Sequence, residues 1–399
     1  MNRNNIFVFS VTIGLLLSSG LTLSQDDAKG PLDSGPDGHR GPPKHVDTPE
    51  TLAVKARMGD TSTLMGSITI PDAVDVCGID PGYTRLVCLI DVLKSAMSDE
   101  VLEHFQLDYS LEKAKDWSNL PAGAFPERPG IFLGELSIKQ RGMVKAILME
   151  AASQTENEGF DEMVQTSNAD DYIGTISTDY KASYSSFNTT IALLGVPTET
   201  GTWELYYGGH HFAFSNTYTD GKLAGATPSF RGIEPFPAFD MNDRTNKPLL
   251  QERNAFAALL QSLTKEQLAA ARLEGTYRDI LAGPQADDAI PEKQEGLSVT
   301  KLNDLQQALL LSAILTYVGD INDADAKIYM DKYIAELADT VLGFSGTTAV
   351  NSEDDYVRIH GPSLWLEFSL QSNKSTNTVG NHPHSVWRDR SDDYGGQSK

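Results

Sequence analysis

The sequence is poor in the features that most readily betray a chemistry. Among 399 residues there are two cysteines, Cys77 and Cys88, at a spacing that matches no thiolate zinc motif. Bases are scarce as well: 32 Lys and Arg stand against 55 Asp and Glu, a formal charge of −23. A surface of that sign repels phosphate, which argues against nucleic acid and anionic membranes as partners. A bilayer span needs roughly 20 apolar residues, and the run from Ile6 to Leu17 is too short for one. There is no Gly-x-Ser-x-Gly elbow, no His-Glu-x-x-His, no phosphate loop and no Gly-x-Gly-x-x-Gly, so the commonest hydrolase, metalloprotease and nucleotide-binding signatures are missing. The acidic run from Asp320 to Asp325 lacks the central Gly and final Glu of a calcium loop and reads as a solvated turn between helices.

What is present begins with an export signal. Arg3 precedes the apolar stretch Ile6 to Leu17, and small residues follow at Ser18, Ser19 and Gly20, so residues 1–24 read as a cleavable signal peptide, with no stable membrane insertion after cleavage. Their removal takes away one base and no acid. Residues 25–50 contain five Pro, four Gly and no aromatic residue; they cannot bury a core and read as a disordered tether. In a secreted or periplasmic protein Cys77 and Cys88 are expected to form a disulfide across the Pro81-Gly82 turn, stabilising the fold by roughly 3 kcal/mol in the chain-entropy picture.

Residues 51–399 form one large α+β domain, or two packed lobes, with a mainly antiparallel sheet covered by helices. Leu86, Leu89, Ile90, Leu93 and Met97 recur at helical spacing, and Ser137 with Gln140 and Thr264 with Gln267 mark two capping-box helix starts. Further helices are expected over about 302–318 and 324–342. The stretch from Thr202 to Phe230 alternates aromatic and small residues around Asp220-Gly221, a hairpin signal that predicts two antiparallel strands. In SLWLEFSL, Leu364, Leu366, Phe368 and Leu370 share one strand face, and Trp365 and Glu367 the other.

Five of the eight histidines fall in these β regions. His382 and His384, one residue apart, point to one side of a strand, as two ligands of one ion require, and Arg388 shares that side. Pro383 predicts an edge strand or irregular loop there. On a regular strand His210 and His211 face opposite ways, so one of them reaches a given site, and Gly208-Gly209 invite a bulge or a close backbone approach. The expected centre is a zinc, copper or iron ion held by His382, His384 and His210 or His211, with Glu367 or Glu252 nearby. In a hydrolase, Glu367 takes a proton from activated water and Arg388 stabilises developing negative charge; an oxidase uses the open position for dioxygen. His360 is a fifth candidate, and His104 reads as structural. The substrate is a small molecule or saccharide. The competing class is a non-catalytic binder in which Trp203, Tyr206, Tyr207, Trp365 and Trp387 line a groove.

The blocks GGHHFAFSNTYTDGKLAGATPSFRG and YVRIHGPSLWLEFSL followed by NHPHSVWRDRSDDYG resemble the domain of unknown function 3500 family, from about Tyr83 to Gly395. The resemblance implies that Trp203, His210, His211, Glu367, His382, His384, Trp387, Arg388 and Asp389 occupy recurrent motif positions. It supplies no activity, and His360 stands where the family pattern has glutamine.

Overall fold

The computed structural model describes residues 66–125, 128–177, 183–371 and 382–397; the signal peptide and tether expected from the sequence lie outside them. Helices α1 (Tyr83–Ser95), α2 (Asp99–Phe105), α3 (Leu111–Ala114), α4 (Ile138–Ala151), α5 (Gly159–Ile176), α6 (Leu250–Gln261), α7 (Lys265–Ala271), α8 (Asp304–Val318) and α9 (Asp323–Ala335) accompany fourteen strands among the described residues. The strands are β1 (Gln106–Leu107), β2 (Ile131–Phe132), β3 (Thr190–Leu194), β4 (Thr202–Gly209), β5 (Phe212–Thr219), β6 (Lys222–Gly225), β7 (Ser229–Gly232), β8 (Phe239–Met241), β9 (Arg244–Asn246), β10 (Leu297–Ser298), β11 (Val341–Ser345), β12 (Tyr356–His360), β13 (Leu364–Gln371) and β14 (His382–Asp389).

One sheet runs β1-β3-β4-β5-β7-β14-β13-β12-β11-β10, with β2 on β3 and β6 on β5. Only the β1–β3 pairing among these is parallel, so the α+β class read from the pattern stands. The strand alternation decides what each face carries. Leu366, Phe368, Leu370 and Trp387 point into the large apolar core shared with the helices. The opposite face holds Tyr356, Arg358, His360, Trp365, Glu367, Ser369, Gln371, His382, His384 and Arg388, all buried. Irregular stretches at residues 115–125, 128–130 and 272–296 lie over that polar face. Long irregular segments inside a compact fold are characteristic of functional sites.

Both expected capping boxes form, at Ser137–Gln140 and Thr264–Gln267, and Cys77 bridges Cys88 with Cα atoms 5.6 Å apart. No helix among the described residues is long and apolar enough to cross a membrane. Four expectations need correction. The last helix stops at Ala335, and Val341–Ser345 becomes β11, consistent with Gly343 and the β-branched residues around it. The aromatic stretch makes four strands, β4 to β7, rather than two, in part because His210 and His211 are themselves a turn between β4 and β5. The third concerns β14, which is central rather than an edge. Pro383 sits ahead of the β7 ladder, which begins at the His384–Gly232 pair, and its carbonyl accepts from the Ile233 N–H at 3.1 Å. Asp320 is not solvated: it is buried against Arg231 and accepts from the Gly159 N–H at 2.6 Å.

Helix α5 buries Phe160, Met163, Val164, Ala169 and Ile173, and with them an unusual number of polar side chains. Glu162, Gln165, Thr166, Ser167, Asn168, Asp170 and Asp171 are all buried. Several of these pair with neighbouring elements, among them Glu162 with Arg231 at 2.8 Å and Asp170 with His210 at 2.6 Å.

Candidate metal centre

The β4–β5 connection has two residues. His210 and His211 form it, with Gly209 and Phe212 as the last ladder pair, and His211 takes a left-handed backbone with φ of 61°. That conformation is uncommon for a residue with a side chain and is held from two sides. The His211 N–H donates to Asn119 O at 3.2 Å, and its carbonyl accepts from the Gly232 N–H at 2.7 Å. No bulge interrupts the pairing beside Gly208-Gly209. A Cβ on Gly209 would instead meet Thr189 Oγ1 at 2.9 Å, so a close approach explains that glycine.

Because the pair sits in a turn, both rings reach one region. His210 and His211 stack with centroids 3.7 Å apart, and His211 lies 4.6 Å from His382 and 5.3 Å from His384. The Nε2 atoms of His211 and His382 approach to 2.7 Å. His211, His382 and His384 each present one ring nitrogen within 4.8 Å of the others, and all three are buried. His210 stands beside this set: its Nδ1 is engaged by Asp170 Oδ1 at 2.6 Å, and its other face meets Tyr184 at 5.1 Å. The structure therefore selects His211 over His210 as the third member.

His384 is oriented through Nδ1, which lies 2.9 Å from Asp279 Oδ1 and 2.7 Å from the side-chain amide of Gln371. A carboxylate on the far nitrogen fixes the tautomer and raises the basicity of Nε2, a recurrent arrangement behind metal-binding imidazoles. Gly232 supplies the floor between two rings. A Cβ there would come within 2.8 Å of His384 Cδ2 and 2.9 Å of His211 Cδ2, so any side chain at 232 would force those rings to move.

Glu367, expected as a base, shares the sheet face with His384 but is fully engaged. Its Oε1 accepts from the Leu281 N–H at 2.7 Å and the Tyr356 hydroxyl at 2.6 Å; its Oε2 accepts from the Ala282 N–H at 2.9 Å and Trp365 Nε1 at 2.7 Å. Burial pushes this carboxyl above its ordinary range, opposed by the four donors. Arg388 is likewise occupied. It bonds Asp393 at 2.9 Å and Asp287 at 2.6 Å and is buried under Tyr394. Both residues hold the 272–296 stretch, which also stacks Tyr277 on Tyr356 at 4.3 Å and delivers Asp279. Glu252, the other carboxylate considered for the centre, lies on α6 against the opposite, helix-covered face.

His360 is apart from the cluster. It is fully buried against Trp365, neither ring nitrogen has a hydrogen-bond partner among the described residues, and burial with nearby Arg390 and Arg358 lowers its pKa to about 4. An unfolded histidine titrates near 6.5. The folded state thus resists protonation that the unfolded state accepts, and His360 stabilises the fold above about pH 6.5 by at most about 3 kcal/mol, lost as pH falls toward 4. Replacing His360 by Leu should flatten the thermal-midpoint profile between those pH values relative to wild type; parallel profiles would remove His360 from the account.

Trp203, Tyr206, Tyr207, Trp365 and Trp387 are each 0–1% exposed, so none forms a surface platform. A cavity of about 880 Å³ lies elsewhere, lined by residues that include Tyr83, Glu150, Tyr218 and Asp323, and by no histidine.

Three buried imidazoles from a hairpin turn and a distant strand, one of them backed by a carboxylate, define a nitrogen-donor site able to hold a metal ion within an α+β sheet. Residues 82–396 match the model of a family described as "Protein of unknown function (DUF3500)", and the chain belongs to that family. No curated protein and no solved structure matches it.

Proposed function

We propose that the protein is a secreted or periplasmic metal-dependent enzyme in which His211, His382 and His384 hold one zinc, copper or iron ion and present it to a small-molecule or saccharide substrate. The convergence of the three imidazoles within 4.8 Å carries this reading. A neutral three-nitrogen set suits these metals and leaves a coordination position for water or substrate. Bound there, the ion would supply Lewis-acid chemistry for hydrolysis or redox chemistry for oxidation. The chain's own residues prepare the site: Asp279 and Gln371 orient His384, Gly232 keeps room between the rings, and Glu367 and Arg388 position the segment that carries Asp279. The disulfide supports an oxidising compartment.

The test is elemental analysis of protein made without chelator or histidine tag, followed by dialysis against each ion. Near-stoichiometric zinc directs the search to hydrolysis, and copper or iron to oxidation. A wild type that takes up none of the three would defeat the proposal. Asp279→Asn should keep the fold and weaken metal affinity by about 10- to 100-fold, the usual effect of losing such a partner, read by competition with a metallochromic chelator; unchanged affinity would deny Asp279 that role.

A further inference from the structure

Behind the histidine cluster, across the sheet, lies a second buried polar group that the metal reading does not use. Four carboxyls gather near one guanidinium, which bonds two of them. Arg231, from β7, bonds Glu162 Oε2 at 2.8 Å and Asp320, and lies over the Tyr317 ring at 5.7 Å. Glu158, which caps α5, accepts from Gln251 at 2.8 Å. Glu162 Oε1 accepts from the Leu249 N–H at 3.1 Å, and Asp320 Oδ1 from the Gly159 N–H. Tyr317, on α8, shares a hydrogen bond with Ser385 of β14 at 2.6 Å. The remaining member, Glu252 on α6, is fully buried, and neither of its carboxylate oxygens has a hydrogen-bond partner on another described residue; the donor that faces it is its own backbone N–H.

A buried carboxylate that no neighbouring residue bonds is among the costliest groups a fold can hold, and the usual resolution is to take up a proton. Arg231 is already matched by Glu162 and Asp320, so it gives Glu252 no hydrogen bond. The ligand atoms of these acids do not converge closely enough to make a cation site, since among the described residues only the histidine set does. We propose that Glu252 is stored as a neutral carboxylic acid in the folded protein at neutral pH, and that its ionisation loosens the packing of α6 against α5, α8 and β7, making this seam an alkali-sensitive latch behind the metal centre.

The surrounding groups agree in direction. Burial first, then the neighbouring Glu162, pushes Glu252 well above the carboxyl range, opposed by Arg231; Glu158 is raised to about 8, chiefly by burial and by Glu162. Other charges nearby are already paired, as Asp161 is with Arg244 at 2.6 Å. A group that binds its proton more tightly when folded stabilises fully below the unfolded carboxyl pKa, and that stability is lost as pH rises toward the folded value.

The experiment compares wild type with Glu252→Gln, and with Glu252→Met should the first not fold. At pH 8, unfolding of wild type should release about one more proton than unfolding of either variant, measured calorimetrically in buffers of different ionisation heat. The infrared band of a protonated carboxyl, present in wild type at pH 7, should weaken in the variant. The variant's thermal midpoint should fall less as pH rises above 7. Equal proton release, or an unchanged band, would overturn the proposal. So would a wild type whose midpoint rises with added sodium, potassium or calcium while the variant's does not, because Glu252 would then be ionised against a bound cation.

Discussion

With His382 and His384 both replaced by alanine, the protein is expected to lose its metal. Structural zinc sites with four ligands bind with roughly 10–16 kcal/mol of apparent free energy at neutral pH, so two imidazoles of three carry enough to lower affinity by about 10⁴-fold or more. His211 alone cannot hold an ion against water or buffer. The comparison that isolates this effect is metal content per folded molecule, with far-ultraviolet circular dichroism confirming the sheet, since both side chains are buried and removal of His384 also leaves space beside Gly232. A folded double variant that still carries one equivalent of metal would place the ion elsewhere and end the case for this cluster.

Loss of Arg231 is expected to be the most destabilising single substitution in the polar interior. Arg231 is 2% exposed and is the base that Glu162 and Asp320 share. Removing one partner of a buried ion pair strands the other in a medium that solvates it poorly, at a cost of about 3–5 kcal/mol. Arg231→Leu should lower the urea midpoint accordingly, without changing the slope of the transition. Arg231→Lys should recover little, because an ammonium cannot reproduce the fork that reaches two carboxylates at once. Adding Glu162→Gln to Arg231→Leu should restore part of the loss; if it restores none, packing rather than charge explains the effect.

The parts of this architecture that could be read in the sequence are those with a local cause. Alternation in SLWLEFSL assigns the two faces of β13, side-chain caps place the starts of α4 and α7, and the one-residue spacing of His382 and His384 puts both on one side of β14. The rest depends on contacts between distant segments. His211 joins the cluster because a two-residue turn aims it there, which a strand alternation rule cannot anticipate. Asp279 lies in a stretch without periodicity, and its length without regular structure was the one available sign. Helix α5 went unseen because buried polar residues interrupt its apolar ones, and such a helix is legible only once its partners, Arg231, His210, Asn246 and the Ser186 backbone, are in place. Glu367 shows the opposite failure: a carboxylate beside a tryptophan looked free to act, while its four donors come from residues 281, 282, 356 and 365.

The position of β14 in the sheet bears on how the molecule is assembled. It is the last described strand in chain order, yet it lies between β7 and β13, joining the strands before residue 233 to those after residue 296. Until it inserts, the sheet is two separate pieces with exposed edges, and the histidine contributed by the hairpin has no companions. Assembly of the three histidines is thereby tied to β14: a nascent or truncated polypeptide that stops before residue 382 can build neither the seam nor the cluster, so a gathered histidine set doubles as a certificate that the whole sheet has closed.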